Sequence, residues 1–461
     1  MKQTLILIDN LNYLSQKLNI MDHQPITVFW NSKFVDVKSI KLLARSVEEI
    51  YASPTILGEA STILGRKISL LEGGKSIQLE KKLQTDRPIA FFVANDTIAK
   101  MLVNIAKILE LPSFFILPNS KNENALDVIA SENLPFIINK PGLLALKIPS
   151  VLVMGNDWGD EERQLIKSAT RLNIPSVCIQ DGDLQWEFEM KPMQWATFSF
   201  LQGPIAIKYL PRTVYFLTGN PRFDSLSQIP LPAETVVMIN SNFAYGILDD
   251  KRDEWIDDIV SACNRVGHDF FISQHPREMK KIVKYPVKKS NASVIYSQIF
   301  ECSILVSRFS TVISEAILMG RQAIYYNPHG ETMQLFNDDN TNGIYKAYSR
   351  DELLKIFESI KCVGGKNQID RNNFTLMHCG CNDGFASQRC ANSIQEIKRW
   401  SDGFSKASFF LRFFYLTSEK IENIYAIIHS VVRNFFKSIK SIIPLPIRSA
   451  VKNFFKSRNS L

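Results

Sequence analysis

The sequence predicts an α/β protein of two doubly wound, Rossmann-like domains followed by a basic, amphipathic C-terminal tail. Three observations carry this. Short β-rich runs alternate with amphipathic helical patterns through most of the chain, as in parallel sheets with crossover helices. The alternation stops at a stretch holding prolines 221, 230 and 232, and then restarts. At 461 residues the chain suffices for two or three domains, and its 45% apolar and 22% charged residues are those of a globular protein.

In the first half the predicted strands are 26–30 (ITVFW), 89–93 (IAFFV), 112–117 (PSFFIL), 151–154 (VLVM), 175–180 (PSVCIQ) and 213–217 (TVYFL). Between two of them, Asp160–Leu172 (DEERQLIKSATRL) carries acids in its first turn and bases later, as a helix dipole favours. The linker begins in Leu217–Asp224 (LTGNPRFD). Beyond it, strands are predicted at 235–239, 269–273, 303–306 and 322–326, and helices at 252–266, 310–319, 350–360 and 385–398. The domains are therefore 1–222 and 223–400, with a tail at 404–461. Two such domains place a cleft between their strand C-termini, where ligands bind in sheets of this kind.

Several classes are excluded. No run reaches the roughly 18 apolar residues of a spanning helix. The start, Met1–Asp9, has an apolar patch too short for a signal peptide, and seven cysteines without framework spacing suit a reducing compartment, so a cytoplasmic protein is expected. Cys379, Cys381 and Cys390 near His378 lack the C-x-x-C spacing of zinc sites, and no metal is expected. From Phe404 to Leu461 there are ten Lys/Arg and two Glu, which accounts for the whole net charge of +8. The body is neutral and gives no reason to expect nucleic-acid binding.

The strand ends carry the chemistry. The 269–273 strand runs into Gln274-His275-Pro276-Arg277, the 303–306 strand into Ser307-Arg308-Phe309-Ser310-Thr311, and the 235–239 strand into Asn240-Ser241-Asn242-Phe243. Pro276 forces His275 out of helical geometry and fixes it at an extended corner. Imidazole, hydroxyls, amides and a helix start at neighbouring strand ends suit a phosphate, with Ser310 or Thr311 as added donors. Glu315, further into that helix, is placed to accept from a ribose hydroxyl.

Asp181-Gly182 after a strand, then His275-Pro276, then the S-R-F-S-T loop with Glu315-Ala316, stand in the order used by bacterial GT-B glycosyltransferases. The set resembles the CMP-sugar enzymes of capsule and lipopolysaccharide synthesis: Kdo transferases with a Q-H-P motif and, more distantly, sialyl- and polysialyltransferases. TGNPRFD, INSNFAYG, DGFASQRCANSI and GNDWGDEER…IPSVCIQDG add to the likeness, which spans roughly 150–395. The resemblance implies a GT-B fold with an acceptor domain and a nucleotide-sugar donor domain facing each other across a cleft. Gln274, His275, Pro276, Asn242, Phe243, Ser307, Ser310, Thr311 and Glu315 would form the donor-nucleotide site. His275, as a cation donating from both ring nitrogens, would face the donor phosphate, and no cofactor is needed. Arg222 and Arg277 would take the sugar carboxylate of a Kdo donor. The sialyltransferase groups show an acidic pair before glycine and consecutive serines; here Gln180 precedes Asp181, and Arg308-Phe309 interrupt the serine loop. Both departures favour Kdo over sialic acid and leave diphosphate-linked donors open.

A transferase also needs a carboxylate near the anomeric carbon, as base or nucleophile. Asp181, Asp157 and Asp224 lie at first-domain strand ends or in the linker, with Asp181 ranked first. Each also has an ordinary reading: a turn with Gly182, a helix N-cap region, and a cap of the next segment. Trp186, after Asp181, is a stacking platform for a sugar or a core residue. Two other enzymes share the architecture: a GT-B transferase using a CDP-polyol or UDP-sugar, and a UDP-GlcNAc 2-epimerase-like isomerase. The expected partners are a CMP-sugar, a lipid-linked glycan acceptor and the cytoplasmic face of the inner membrane.

The membrane expectation comes from the tail. Ile421, Ile424, Ile428, Val431, Phe435 and Ile439 fall at spacings of three and four on one helical face, with Arg433, Lys437 and Lys440 off it. Pro444 and Pro446 break the pattern before a second basic-aromatic segment. That is the composition of an interfacial anchor, and each basic residue near an anionic leaflet adds about 1 kcal/mol. Deleting 404–461 is expected to abolish salt-sensitive sedimentation with anionic liposomes; equal binding with and without the tail contradicts the anchor.

Overall fold

A computed structural model describes residues 4–8, 26–30, 37–47, 49–53, 56–70, 87–119, 123–183, 192–210, 214–244, 247–278, 280–331, 336, 339–363 and 365–404. The amphipathic tail, Trp186, Tyr245 and Gly246 lie outside them. Met1–Asn139 and Pro149–Ser405 form one compact unit that holds both sheets, and Lys140–Ile148 belongs to a second, smaller unit.

The first sheet has eleven strands: β1 (Thr4–Ile8), β2 (Ile26–Phe29), β3 (Glu49–Ala52), β4 (Ser69–Leu70), β5 (Ile89–Phe92), β6 (Ser113–Leu117), β7 (Phe136–Ile138), β8 (Val151–Met154), β9 (Ser176–Ile179), β10 (Phe198–Leu201) and β11 (Val214–Leu217). Their order is β4-β3-β1-β2-β11-β10-β9-β8-β5-β6-β7, and neighbouring strands pair in parallel. A parallel sheet must be covered on both faces, so its central strands read as continuous apolar runs. β5, β8 and β9 are buried at every position. The apolar patch at the chain start is itself an inner strand, with Leu5–Ile8 at 0–1% exposure.

Helices α1 (Val37–Ser46), α2 (Leu57–Leu64), α3 (Asp96–Leu109), α4 (Glu123–Ser131) and α6 (Asp160–Arg171) accompany these strands, and α5 (Leu143–Lys147) lies in the smaller unit. α3 opens on Asn95, whose side chain accepts from the Ile98 amide, and buries Ile98, Leu102, Ile105 and Leu109 on one face.

The second sheet has β12 (Val236–Ser241), β13 (Asp269–Gln274), β14 (Val287–Lys289), β15 (Ile304–Ser307), β16 (Gln322–Tyr326) and β17 (Tyr345–Ala347). Its order, β14-β13-β12-β15-β16-β17, is the 3-2-1-4-5-6 winding of a Rossmann sheet. The strand order reverses between β12 and β15, so topology alone points to a ligand above those two strand ends. Helices α7 (Arg252–Val266), α8 (Ile295–Glu301), α9 (Val312–Leu318) and α10 (Arg350–Val363) follow, then α11 (Gln368–His378) and α12 (Ala386–Phe404).

α12 follows the second sheet in sequence, yet its apolar face packs on the first. Cys390, Ala391, Ile394 and Ile397 join the first sheet's core, and Trp400 meets Phe198 edge-on at 5.8 Å. Its far end is anchored by Asp402, 2.7 Å from Arg87 and 2.6 Å from Lys398. Its start is set by Asp224, whose two oxygens accept the Ala386 and Ser387 amides at 2.7 Å each. The TGNPRFD and DGFASQ motifs are thus two halves of one helix cap, and the cap consumes the Asp224 carboxylate. Among the described residues no helix is long and apolar enough to cross a membrane. Asp224→Ala is expected to destabilise the fold by about 1–2 kcal/mol in urea denaturation, with Asp224→Asn recovering part, as for a lost N-cap.

Candidate active site

Two buried charged side chains join four adjacent strand ends of the second sheet. The first is Glu278, in the turn after β13. The His275 carbonyl accepts from the Glu278 amide at 3.1 Å, closing a four-residue turn with Pro276 second. The Glu278 side chain, 1% exposed, accepts from Ser241 Oγ and the Phe243 amide at 2.7 Å each, and from Gln274 Nε2 at 3.2 Å. This ties β13 to β12. The second is Arg308, 1% exposed, which lies 4.0 Å over the Phe243 ring and donates to the Asn242 carbonyl at 3.0 Å. Its guanidinium also pairs with Glu331, beyond β16, with Nε at 2.7 Å. This ties β15 to β12 and β16. Asn242 closes the switch point by donating to the Phe309 carbonyl at 2.8 Å.

The first sheet meets this edge through the loop after β9. The Asp183 amide donates to Thr311 Oγ1 at 2.9 Å, and Ser314 Oγ donates to Asp183 Oδ2 at 2.8 Å. Gln202 Nε2 donates to the other Asp183 oxygen at 2.9 Å. A Cβ on Gly182 would lie 2.5 Å from Thr311 Oγ1, so the glycine of Q-D-G is what allows this approach. Arg222, in the linker's short 3₁₀ turn, donates to the Asp181 carbonyl at 2.6 Å and to Glu315 Oε1 at 2.7 Å. Tyr296 on α8 donates to the same Glu315 oxygen at 3.3 Å. The C-terminal strand edges of two parallel Rossmann-like sheets therefore meet, which is the GT-B arrangement.

Three carboxyls, Asp181, Asp183 and Glu315, crowd this junction against Arg222. Burial raises all three above their ordinary values, and Arg222 opposes the rise in each. Asp183 and Glu315 are spent on the bonds above. Asp181 is different: its carboxylate makes no ion pair and no hydrogen bond to another described residue, it is half-buried, and it is pushed up to about 6.

His275 is half-buried beside this edge, and burial first, then Arg277, pushes it down to about 4. Its Nδ1 accepts the Arg277 amide at 3.2 Å. The ring is therefore neutral with its proton on Nε2, and presents one donor instead of the two of a cation. This corrects the charge expected from the sequence.

The remaining predicted residues divide clearly. Gln274, Pro276 and Arg277 surround His275, with Pro276 and Arg277 exposed. Ser310 and Thr311 stand half-buried at the junction; α9 starts at Val312, two residues later than predicted. Phe243, expected in the donor-nucleotide site, is a core residue, 3% exposed and packed edge-on to Trp255 at 5.6 Å. Ser307 is fully buried and accepts from Asn240 Nδ2 at 2.9 Å. Asp157 is fully buried and accepts the amides of Met193, Trp195 and Ala196 at 2.6, 2.8 and 3.2 Å, so it shapes the 192–197 turn and faces no substrate. Glu315 is closed off by Arg222 and Tyr296, and Arg222 by Glu315 and Asp181. Sequence reading missed Glu278, Arg308, Asp183, Gln202 and Tyr296 as site residues. Position after a strand was a signal for the first three; nothing local marks Gln202 or Tyr296. Among the described residues no three His, Cys, Asp or Glu side chains converge on a metal position.

No family model and no curated protein matches the chain. Among solved structures it is similar to UDP-GlcNAc 2-epimerase from Neisseria meningitidis bound to UDP-GlcNAc, at 11% identity and a TM-score of 0.47, over 67% of this chain and 99% of that one. It is also similar to a spinosyn rhamnosyltransferase complexed with thymidine diphosphate, at 9% identity and a TM-score of 0.45, over 67% and 100%. A wall teichoic acid polymerase follows at 12% identity and a TM-score of 0.42, over 70% and 92%. Likeness at this level leaves the chemistry to be argued from the residues.

Removing one partner of a buried ion pair strands the other. Arg308→Ala is expected to cost about 3–5 kcal/mol in urea denaturation, and pairing Arg308→Met with Glu331→Gln to cost less. Equal losses would contradict the bracing role.

Proposed function

We propose that the chain is a nucleotide-sugar-dependent glycosyltransferase that moves Kdo from CMP-Kdo onto a lipid-linked capsule or lipopolysaccharide glycan. The observation that carries the enzyme class is Asp181: a half-buried carboxylate with no partner among the described residues, pushed up to about 6 by burial, at the junction of two strand-end edges. A general base works best when its pKa lies near the operating pH and nothing else holds its lone pairs.

In this reading the donor phosphate lies over the β12/β15 switch point. The His275 Nε2–H, Ser310 and Thr311 donate to it as charge builds on the departing nucleotide. Asp181 accepts the proton of the acceptor hydroxyl as its oxygen bonds to the anomeric carbon and the bond to the CMP phosphate breaks. Arg277, exposed beside His275, is the cation that would meet a sugar carboxylate; Arg222 donates to Glu315 and to the Asp181 carbonyl. The CMP-Kdo donor and the lipid-linked acceptor come from the Q-H-P and S-R-F-S-T resemblance and the basic tail.

The base must be ionised to act. The kcat/KM for transfer is therefore expected to fall as pH drops through about 6, the value to which burial pushes Asp181. Asp181→Asn is expected to lose ~10²-fold or more and to lose that limb. Thermal shift with CMP, CDP and UDP tests the donor: stabilisation by CMP supports Kdo, and stabilisation by UDP alone removes it. Release of a 2-epimer from UDP-GlcNAc without an acceptor would replace transfer with isomerisation.

A further inference from the structure

Four residues chain the second sheet to the Asp181 loop. Tyr296 on α8 donates to Glu315 on α9 at 3.3 Å, Glu315 accepts from Arg222 at 2.7 Å, and Arg222 donates to the Asp181 carbonyl at 2.6 Å. Glu315 is 1% exposed and pairs with Arg222 across the junction. A carboxylate held this way by a guanidinium and a phenol is occupied, and a ribose hydroxyl would have to displace one of them at the cost of a buried ion pair.

We propose that Glu315 and Tyr296 are positioning residues: through Arg222 they clamp the Asp181 loop onto the second sheet and set how much positive charge the Asp181 carboxylate feels. This rests on the reading of Asp181 as the base. Among the described residues Arg222 is the one cation that acts on Asp181, and it opposes the rise that burial causes. Among the described residues the Cys178 thiol on β9 also faces Asp181, and Asp183 lies two residues further along the same loop. Asp183 is in turn held by Ser314 and Gln202 and faced by His378. Behind Arg222 stand Glu315 and Tyr296. A guanidinium neutralised by Glu315 projects a weak field; the same guanidinium without that partner projects a stronger one.

The signs of the predicted changes follow. Glu315→Gln keeps an acceptor oxygen for Arg222 but removes the neutralising charge, so Asp181 is expected to titrate lower by roughly one pH unit. Tyr296→Phe removes a hydrogen bond that favours ionised Glu315, so the mean charge opposite Arg222 falls and Asp181 is expected to titrate between wild type and Glu315→Gln. Arg222→Gln combined with Glu315→Gln spares a lone buried acid and removes the cation, so Asp181 is expected to titrate higher.

The experiment is a carbon-13 NMR titration of the full chain labelled at aspartate side-chain carboxyls, with Asp181 assigned by its loss in Asp181→Asn. Opposite shifts in Glu315→Gln and in the double variant support the clamp. No shift, or shifts of one sign in both, overturns it. The readout does not depend on turnover. An Asp181→Asn protein with full transferase activity would remove the base reading while leaving opposite shifts, and hence the clamp, intact.

Discussion

Arg308 is the constraint on which the site depends. It is a fully buried cation in a place where an apolar side chain would pack at lower desolvation cost. What the charge supplies is geometry. One planar guanidinium fixes its own loop, the β12 loop through Asn242 and Phe243, and the β16 loop through Glu331. Glu278 does the same between β12 and β13. Four parallel strand ends thereby become one edge, and His275, Ser310 and Thr311 take their places from it. Preorganised donors cost no rearrangement when charge develops on a leaving group.

The opposing side is built differently. The β9 loop is held from its own sheet by Gln202, which donates to Asp183, and by Gln180, which donates to the Gly182 carbonyl, and it reaches the second sheet through Thr311 and Ser314. Its carboxylates outnumber the cations facing them, so burial governs their protonation. Of the crowded acids, Asp183 and Glu315 are held by partners, and the Asp181 carboxylate has none among the described residues. The neutral His275 fits the same division. In a half-buried position beside Arg277, the ring gives up its second proton and accepts a backbone amide with that nitrogen. An anionic ligand would restore some of its basicity.

Much of this was legible in the sequence where one local rule decided the outcome. α6 and α7 begin where their acidic first turns place them, at Asp160 and Arg252. β5, β8 and β16 are uninterrupted buried runs. α3 was legible and unread: Asn95 caps it, and Ile98, Leu102, Ile105 and Leu109 fall at helical spacing. β1 was not among the predicted strands: the apolar patch at Met1–Asp9 was weighed only against a signal peptide, for which it is too short. The destiny of the acids was not legible. Asp157, Asp181 and Asp224 look alike in sequence, each after a strand or in a turn. What separates them is which amides fold back onto them: three from residues 193–196, none from another described residue, and two from the start of α12. Those amides lie 36 to 39 and 162 to 163 residues away, beyond any local pattern. Phe243 was misread for the same reason, since Trp255 and Arg308 claim its ring from other elements.

The central claim is that the braced edge of the second sheet holds the nucleotide. Hydrogen exchange measured with and without saturating CMP tests it most directly, because the edge is defined by backbone segments. The account predicts added protection confined to residues 241–244, 274–278 and 307–311, with the β9 loop following. Protection that appears only in the first sheet, or none in those three segments while CMP is bound, would contradict it.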